Sequence, residues 1–259
     1  MLAQELFATG GRVSMNALAP NLKPIVRNSI LRGLPLSDFA RIRPFLRTVS
    51  LKGNEILQDY RKQVEHIDFI ETGIISLRTF AGGNTLETAM VGRQGVVGAS
   101  VALGAQTSMH RCIVLVPGSS LRIRTDELYN SMQERPQIRE HILRYVQALM
   151  IHGSQTALCG VRHELEQRLA CWLCLATDGL NDGILPVTHE NLSLILGLRR
   201  AGVTESLSRF ESQGLIRKMR GVLEIREHGQ LKTKSCFCYG VIANAYKVAT
   251  TIECVESEM

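Results

Sequence analysis

Residues 187–225 read VTHENLSLILGLRRAGVTESLSRFESQGLIRKMRGVLEI and form the most clearly patterned part of the chain. Thr188 is of a type that caps helix N-termini, and the apolar residues after it follow the spacing of one helical face. Gly197 ends this helix, because glycine tolerates the left-handed backbone of a tight turn. A second apolar face begins after Arg199 and Arg200. The stretch therefore predicts two short helices joined by a tight turn.

A basic hairpin follows the second helix. Gly214 ends that helix, residues 217–221 read RKMRG, and residues 222–225 have the apolar character of a returning strand. Two short helices followed by such a hairpin are typical of a helix-turn-helix with a wing, which is a DNA-binding arrangement.

The positive charge of the chain is concentrated in the same region. The net charge is +6 over 259 residues, and residues 188–234 hold nine Lys/Arg against five Asp/Glu, a difference of +4 (9 − 5). This asymmetry favours a polyanionic partner, the alternative being a merely solvated surface. The sequence shows no run of about eighteen apolar residues and no secretory leader, so we expect a soluble, cytoplasmic protein without a membrane partner.

Short β-rich runs separated by glycines dominate residues 48–124, after a segment of short helices at 29–46. Short strands at such turn-like intervals predict an antiparallel sandwich or barrel. The runs are TVSLKG (48–53), HIDFIETGIISLRTF (66–80), LETAMVG (86–92) and HRCIVLVPGSSLRI (110–123).

After residue 124 the spacing of the apolar residues changes from the alternation of strands to the longer repeat of helices. Apolar positions alternate at spacings of three and four, which is the pattern of helices that pair in a coiled coil. We therefore predict a dimerisation helix, while an ordinary core helix packed on the β-rich segment is the alternative. The predicted dimer positions are Ile138, Ile142, Tyr145, Leu149, His152 and Thr156.

The order of these parts resembles the Crp/Fnr family of bacterial transcription regulators. The resemblance rests on the helix-turn-helix above and on four further motifs: IDFIETGIISL (67–77), VGRQGVVG (91–98), LEQRLACWL (165–173) and SCFCY (235–239). It implies an α+β fold with an N-terminal cyclic-nucleotide-binding-like β-roll, a long dimerisation helix and a C-terminal winged helix-turn-helix. The implied divisions are an N-terminal extension (1–28), the roll (29–135), the dimerisation helix (136–160), the DNA-binding domain (161–235) and a C-terminal tail (236–259).

The family pattern assigns DNA contacts to the second short helix and the wing. Arg200 matches the position that contacts guanine, where a guanidinium donates twice to O6 and N7. Ala201 replaces the family's usual glutamate, and Glu205 replaces an expected arginine and would accept from cytosine N4 instead. The operator therefore need not be the family's common one. The candidates for phosphate contacts are Thr188, His189, Arg199, Lys218 and Arg220. The other candidates for DNA contacts are Arg200, Thr204, Glu205, Ser208 and Arg209.

The roll departs from the pattern of relatives that bind cyclic nucleotides. Those relatives carry a glutamate for the ribose hydroxyl and, further along, an arginine for the cyclic phosphate. Ala99 stands at the first position, and Arg111 is the nearest counterpart of the second. A ribose hydroxyl without an acceptor loses a hydrogen bond, so we do not expect cyclic AMP to bind, and the effector is left unassigned. The pocket candidates are Val97, Gly98, Ala99, Ser100, Arg111 and Cys112.

The seven cysteines indicate reduced thiols rather than a disulfide framework. None precedes Cys112, which argues against an N-terminal iron–sulfur cluster of the Fnr type. The pair Cys171-x-x-Cys174 lies in an apolar helix and is interpreted as core. The pair Cys236-x-Cys238 is expected to be exposed; with only His228 as a possible further ligand, no metal site is assigned.

These patterns predict a transcription regulator rather than an enzyme. It would act as a homodimer on an inverted-repeat operator in double-stranded DNA, and the resemblance implies RNA polymerase as a further partner. Two alternatives stay open. One is a redox- or metal-responsive regulator that uses its cysteines, and the other is a ligand-binding module without specific DNA recognition.

Overall fold

The computed structural model describes residues 26–180 and 183–251. Within these residues, no helix combines the length and the apolar character needed to cross a membrane. The predicted α+β fold is confirmed, with an antiparallel sheet followed by long helices and a small domain of helices and hairpin.

The N-terminal half is the β-roll. Its six strands form an antiparallel sheet in the order β1-β6-β3-β4, with β2 paired to β6 and β5 paired to β3. Two helices and a 3₁₀ turn (Arg43–Phe45) precede the sheet, and another 3₁₀ turn, Ala99–Leu103, follows β5. The elements are α1 (Ser29–Gly33), α2 (Leu36–Ile42), β1 (Arg47–Leu51), β2 (Ile56–Gln58), β3 (His66–Ala81), β4 (Asn84–Val91), β5 (Val96–Val97) and β6 (Arg111–Arg124).

The C-terminal half is helical apart from a three-stranded sheet in the order β7-β9-β8. Its elements are α3 (Thr125–Glu134), α4 (Pro136–Arg162), α5 (Leu165–Leu180), β7 (Ile184–Leu185), α6 (His189–Leu196), α7 (Arg200–Ser212), β8 (Ile216–Met219), β9 (Val222–Ile225), α8 (His228–Lys234) and α9 (Cys238–Thr250). The main hydrophobic core is continuous from α1 through α4 and α5 to the short helices α6 and α7.

Strands β3 and β6 approach each other unusually closely at Gly118. A side chain there would place its Cβ 2.1 Å from the backbone oxygen of Thr72, so only glycine fits. The register of the two strands shifts on either side of Thr72, which marks an irregularity of the kind that bends a sheet. The glycine therefore serves the curvature of the roll.

The N-terminal boundary differs slightly from the predicted one. Asn28 had been assigned to the extension, but it is fully buried and caps α1 by accepting hydrogen bonds from Ile30 and Leu31. Its amide also donates to the backbone oxygens of Ile70 and Gly95. Asn28 thus belongs to the roll, whereas residues 1–25 lie outside the described part of the chain.

Four of the six predicted dimer positions on α4 are wrong, because they face the core of their own chain. Ile138, Ile142, Tyr145 and His152 are all between 0% and 3% exposed, so they offer no surface to a partner. Leu149 and Thr156 are half-buried, so their assignment to a dimer interface stays a prediction. Alternating spacings of three and four are produced by any helix that lays one face on a core, which was the alternative interpretation.

The segment assigned to a tail, 236–259, contributes the helix α9 instead. The inner side of α9 packs along α4, and the Tyr246 hydroxyl lies 2.9 Å from Nδ1 of His152. Burial lowers the pKa of His152 to about 4, so the imidazole is neutral at physiological pH. Residues 252–259, with Cys254, lie outside the described residues.

Candidate nucleic-acid interface

The two predicted short helices form as α6 and α7. The Thr188 hydroxyl accepts the backbone N–H of Asn191 across 3.1 Å and caps α6. Gly197 ends that helix with a φ of 61°, in the left-handed region that glycine tolerates best. Arg199 then caps α7 with an extended backbone. The cap, the turn and the restart of the chain are confirmed as predicted.

α5 holds α7 from behind. Gly202 allows this close packing, because a Cβ there would lie 2.6 Å from Cδ1 of Leu165. Arg209 Nε donates to Glu166 across 2.9 Å, and its Nη1 donates to Glu205 across 2.8 Å. Arg209 and Glu205 would have to leave these ion pairs to contact DNA. The buried face of α7 consists of Val203, Ser206, Leu207 and Phe210.

The first turn of α7 presents two uncommitted cations. Arg199 and Arg200 are both exposed, and among the residues that the structure describes neither side chain forms a hydrogen bond or an ion pair. Unpaired N–H groups and the positive end of the dipole also lie at this end of a helix. The turn is therefore the most electropositive part of α7.

His189 links the two helices. Its Nδ1 lies 3.0 Å from the hydroxyl of Thr204, which fixes the start of α6 against the outer face of α7. Partial burial, followed by the positive charges of Lys218 and Arg200, lowers the pKa of His189.

The wing forms from β8 and β9, with Gly221 in the left-handed conformation at its tip. Lys218 Nζ lies 2.9 Å from Ser208 Oγ and 3.0 Å from Glu211, so the wing is tied to α7. Arg220 is exposed at the tip. Arg217, which the predicted contacts do not include, is also exposed, and the basic run at 217–221 is the signal that identifies it.

The roll contains a cavity of about 540 Å³ between its strands and α4. Val97 lies in the sheet core beside it rather than in its wall. Arg111 points away: it pairs with Asp59 across 2.7 Å and stacks on Phe80. Neighbouring strand residues face opposite sides, so Cys112 lines the cavity while Arg111 does not. The predicted pocket residues that do line it are Gly98, Ala99, Ser100 and Cys112.

A second cavity, of about 360 Å³, lies between the roll, α4 and the helices α5, α6 and α9. One of its walls carries Glu87 of β4, which accepts the indole N–H of Trp172 across 2.7 Å and also the hydroxyl of Ser76. Burial raises the pKa of Glu87 to about 7, although these two hydrogen bonds and the charge of Arg78 oppose the shift. The roll and the helical domain are thus joined by a buried polar contact.

The cysteines correct one expectation and support another. Cys236 and Cys238 are 5% and 0% exposed, so the prediction that this pair is exposed is wrong. Their turn packs against the end of α4 instead of standing in solvent. His228, the further ligand considered, lies 3.3 Å from Asp178 and not beside them. Cys171 and Cys174 are buried in α5 as predicted.

These features define a winged helix-turn-helix domain joined to a β-roll by a long helix. A family model described as "Crp-like helix-turn-helix domain" matches residues 167–233, which cover α5 to α8. That segment of the chain is therefore similar to a Crp-like helix-turn-helix domain. A search of curated proteins found no match.

Solved structures of Crp/Fnr regulators share the fold over 74% to 79% of this chain. FixK2 from Bradyrhizobium japonicum is similar at 15% identity, with a TM-score of 0.63 over 74% of this chain and 98% of that one. The c-di-GMP responsive global regulator CLP of Xanthomonas campestris gives 13% identity and a TM-score of 0.59, over 74% and 99%. A putative regulator of the Crp/Fnr family from Eubacterium rectale gives 16% and 0.58, over 79% and 96%. The resemblance stated from sequence is thereby confirmed at the level of the fold.

Proposed function

We propose that the protein is a sequence-specific transcription regulator that binds double-stranded DNA through α7 and the wing. The observation that carries the proposal is the exposed first turn of α7, where Arg199 and Arg200 have no partner among the described residues. A recognition helix places this turn in the major groove, where an arginine reads guanine. Arg217 and Arg220 of the wing would contact the flanking phosphates.

We further propose that two copies associate through the outer face of α4. Three large apolar side chains are exposed there: Met150 at 67%, Leu158 at 38% and Val161 at 81%. Met150 and Val161 lie in one row with Gln147, Ser154 and Ala157. The residues of this row alternate at spacings of three and four on the side of α4 opposite the core. A two-fold dimer would bind an inverted repeat whose half-sites lie about 34 Å apart.

The cavity of the roll is the proposed effector site, and its place suggests how an effector would act. Met150 and Ser154 belong to the cavity wall and also to the outer face of α4. A ligand that contacts them would shift the residues on which the proposed dimer depends. Regulation would then follow if the ligand bound more tightly to one of two arrangements of the paired α4 helices than to the other.

The proposal is tested by measuring affinity for DNA as a function of salt. Genomic fragments selected on the purified protein would be titrated between 50 and 200 mM salt, with the Arg199→Ala/Arg220→Ala variant beside the native chain. We expect a slope of log K on log salt of about −0.9 for each phosphate contacted, and a shallower slope for the variant. Affinity that is independent of salt, or equal for every fragment, would support the alternative of a ligand-binding module without specific DNA recognition.

A further inference from the structure

Four side chains that carry metal-binding atoms converge at the end of α4. Their ligand atoms all lie within 4.8 Å of one another. Sγ of Cys159 lies 3.4 Å from Sγ of Cys236, and Sγ of Cys238 lies 3.6 Å from Nδ1 of His163. We call Cys159, His163, Cys236 and Cys238 the Cys₃His cluster.

Two short local structures bring the four residues together. Cys159 and His163 occupy neighbouring turns at the C-terminus of α4, joined by the hydrogen bond from His163 N–H to the Cys159 carbonyl at 3.2 Å. Cys236 and Cys238 flank the start of α9, and the backbone N–H of Tyr239 closes their turn on the Cys236 carbonyl at 3.2 Å. Each half thus presents two ligands from a defined backbone, which limits the entropy lost on binding.

The spacing of the atoms fits one tetrahedral ion. Bond lengths of about 2.3 Å to sulfur and about 2.0 Å to nitrogen place two sulfurs about 3.8 Å apart and a sulfur and nitrogen about 3.5 Å apart. Two of the six separations, at 3.4 Å and 3.6 Å, lie within about 0.4 Å of these values, and none of the six exceeds 4.8 Å. We propose that the Cys₃His cluster binds one divalent transition-metal ion, with Zn²⁺ as the expected species.

The chemistry of the ligands favours zinc over harder ions. Thiolates and imidazole select zinc-like ions, whereas Mg²⁺ and Ca²⁺ take oxygen ligands. In an iron–sulfur cluster the thiolates bind different irons, which needs more room than ligands within 4.8 Å of one another leave. Each thiol releases its proton to solvent on binding, so three thiolates exceed the ion by one negative charge. Arg168, which lines the cavity beside Cys159, lies where it can balance that charge.

Access and shielding are also suited to a bound ion. Cys159 and Cys238 form part of the wall of the 360 Å³ cavity between the roll and the helical domain, which gives an entry path. The ring of Phe237 packs edge-on against the ring of His163 at 4.9 Å between centroids and covers it on the solvent side. Cys171 of α5 lies against Cys159 and Cys236 as a further thiol.

A metal here would act on the joint between the two halves of the chain. The cluster ties the last turn of α4 to the segment between α8 and α9, at the point where the chain leaves α4 for the DNA-binding domain. A bound ion would fix the direction of that domain relative to the long helix. This inference goes beyond the proposed function, because the ion would bind even in a protein that recognised no DNA.

The first test uses the native protein, purified under reducing conditions without chelator or metal-affinity tag. We expect about one zinc per chain by elemental mass spectrometry. After removal of the metal, titration with Co²⁺ should give thiolate-to-cobalt absorption and the strong visible bands of a tetrahedral site, saturating at one equivalent. A chain that carries no zinc and gives no such bands overturns the proposal, as does a Cys159–Cys236 disulfide in the reduced preparation.

The second test assigns the ligands. The double variant Cys236→Ser/Cys238→Ser should lose Co²⁺ affinity by more than about tenfold and lose the thiolate absorption. Cys174→Ala is the matched control, because this buried thiol lies on α5 outside the cluster and should leave the titration unchanged. One equivalent bound by the double variant with an unaltered spectrum would overturn the ligand assignment. Far-ultraviolet circular dichroism verifies that each variant is folded, and the native titration decides the question where one is not.

Discussion

Trp172 donates its indole N–H to Glu87 across 2.7 Å, and this buried bond links the Crp-like helix-turn-helix segment to the roll. The carboxyl group is fully buried, and burial raises its pKa to about 7 from a usual value of 4.5. The contact between the two halves of the protein is therefore sensitive to pH in the physiological range.

Replacement of Glu87 by glutamine should remove a pH dependence of stability. Because the pKa of the folded state exceeds that of the unfolded chain, folding takes up a proton between pH 4.5 and about 7. Stability from this group is greatest at the acid end and is lost as the pH rises through about 7, by roughly 3 kcal/mol at most. Urea unfolding at several pH values measures the difference between Glu87→Gln and the native chain. Parallel curves of the free energy of unfolding against pH for the two proteins would contradict the raised pKa of Glu87.

Arg200→Ala should relax specificity at one base pair. A lost bidentate contact to guanine costs about 1–3 kcal/mol on the specific site and little on random duplex. Arg220→Ala, at the exposed tip of the wing, is the comparison, since a phosphate contact positions the protein without reading sequence and its loss weakens binding to every duplex alike. Anisotropy titrations on specific and random DNA measure both. An equal loss on the two duplexes for Arg200→Ala would show that it contacts only phosphate.

Charged substitutions on the outer face of α4 should separate the proposed dimer. Met150→Lys and Val161→Lys place an ammonium group where 67% and 81% exposed apolar side chains would be covered by the partner. Leu36→Lys is the control, because Leu36 is 54% exposed and belongs to α2 rather than to the outer face of α4. Sedimentation at micromolar concentration should give monomers for the first two and dimers for the control. A native chain that is already monomeric would refute the dimer itself.

Alanine substitution at two left-handed glycines should have unequal effects. Gly197 and Gly221 have φ values of 61° and 73°, so either alanine costs about 1–2 kcal/mol of backbone strain. A Cβ at Gly197 would also lie 3.1 Å from Cδ1 of Leu86 in the roll, whereas at Gly221 there is open space. Gly197→Ala should therefore be the more destabilising of the two in thermal unfolding. Equal midpoints would mean that the roll yields to the added methyl without cost.

Cyclic AMP should give no thermal shift at concentrations up to about 1 mM. Among the described residues, the wall of the roll cavity contains no lysine, arginine or carboxylate, and burial lowers the pKa of the one histidine there, His110. Arg111 is held outside by Asp59. Without a cation for the phosphate, desolvation of that charge is not repaid. A shift of several degrees with cyclic AMP, absent in Ser100→Ala, would contradict this prediction.

The helix-turn-helix was accessible from sequence because its signals are local. The cap at Thr188 and the turn at Gly197 act within a few residues of their own positions, and both formed where predicted. The strands of the roll were found for the same reason, since alternation and glycine turns mark each run. Only the two short strands β2 and β5 carried too few residues to be recognised.

Tertiary partners were not accessible in this way. The apolar spacing of α4 is the same whether its face meets its own core or another chain, and α9, which covers part of that face, lay in a segment taken for a tail. The thiol of Cys159 meets that of Cys236 across a sequence separation of 77 residues. The pattern of apolar residues along a sequence does not pair such distant residues. Neither the partner of the apolar face of α4 nor the Cys₃His cluster could therefore be predicted.

The packing of α9 on α4 also sets the order in which the chain can complete its core during synthesis. Tyr246 follows its partner His152 by 94 residues, and it is buried together with Ile242 and Ala249. Until those residues have left the ribosome, the inner face of the long helix lacks its cover, even though the whole roll has already been translated. The nascent roll and long helix must therefore wait for the entire winged helix-turn-helix segment before they reach their final packing.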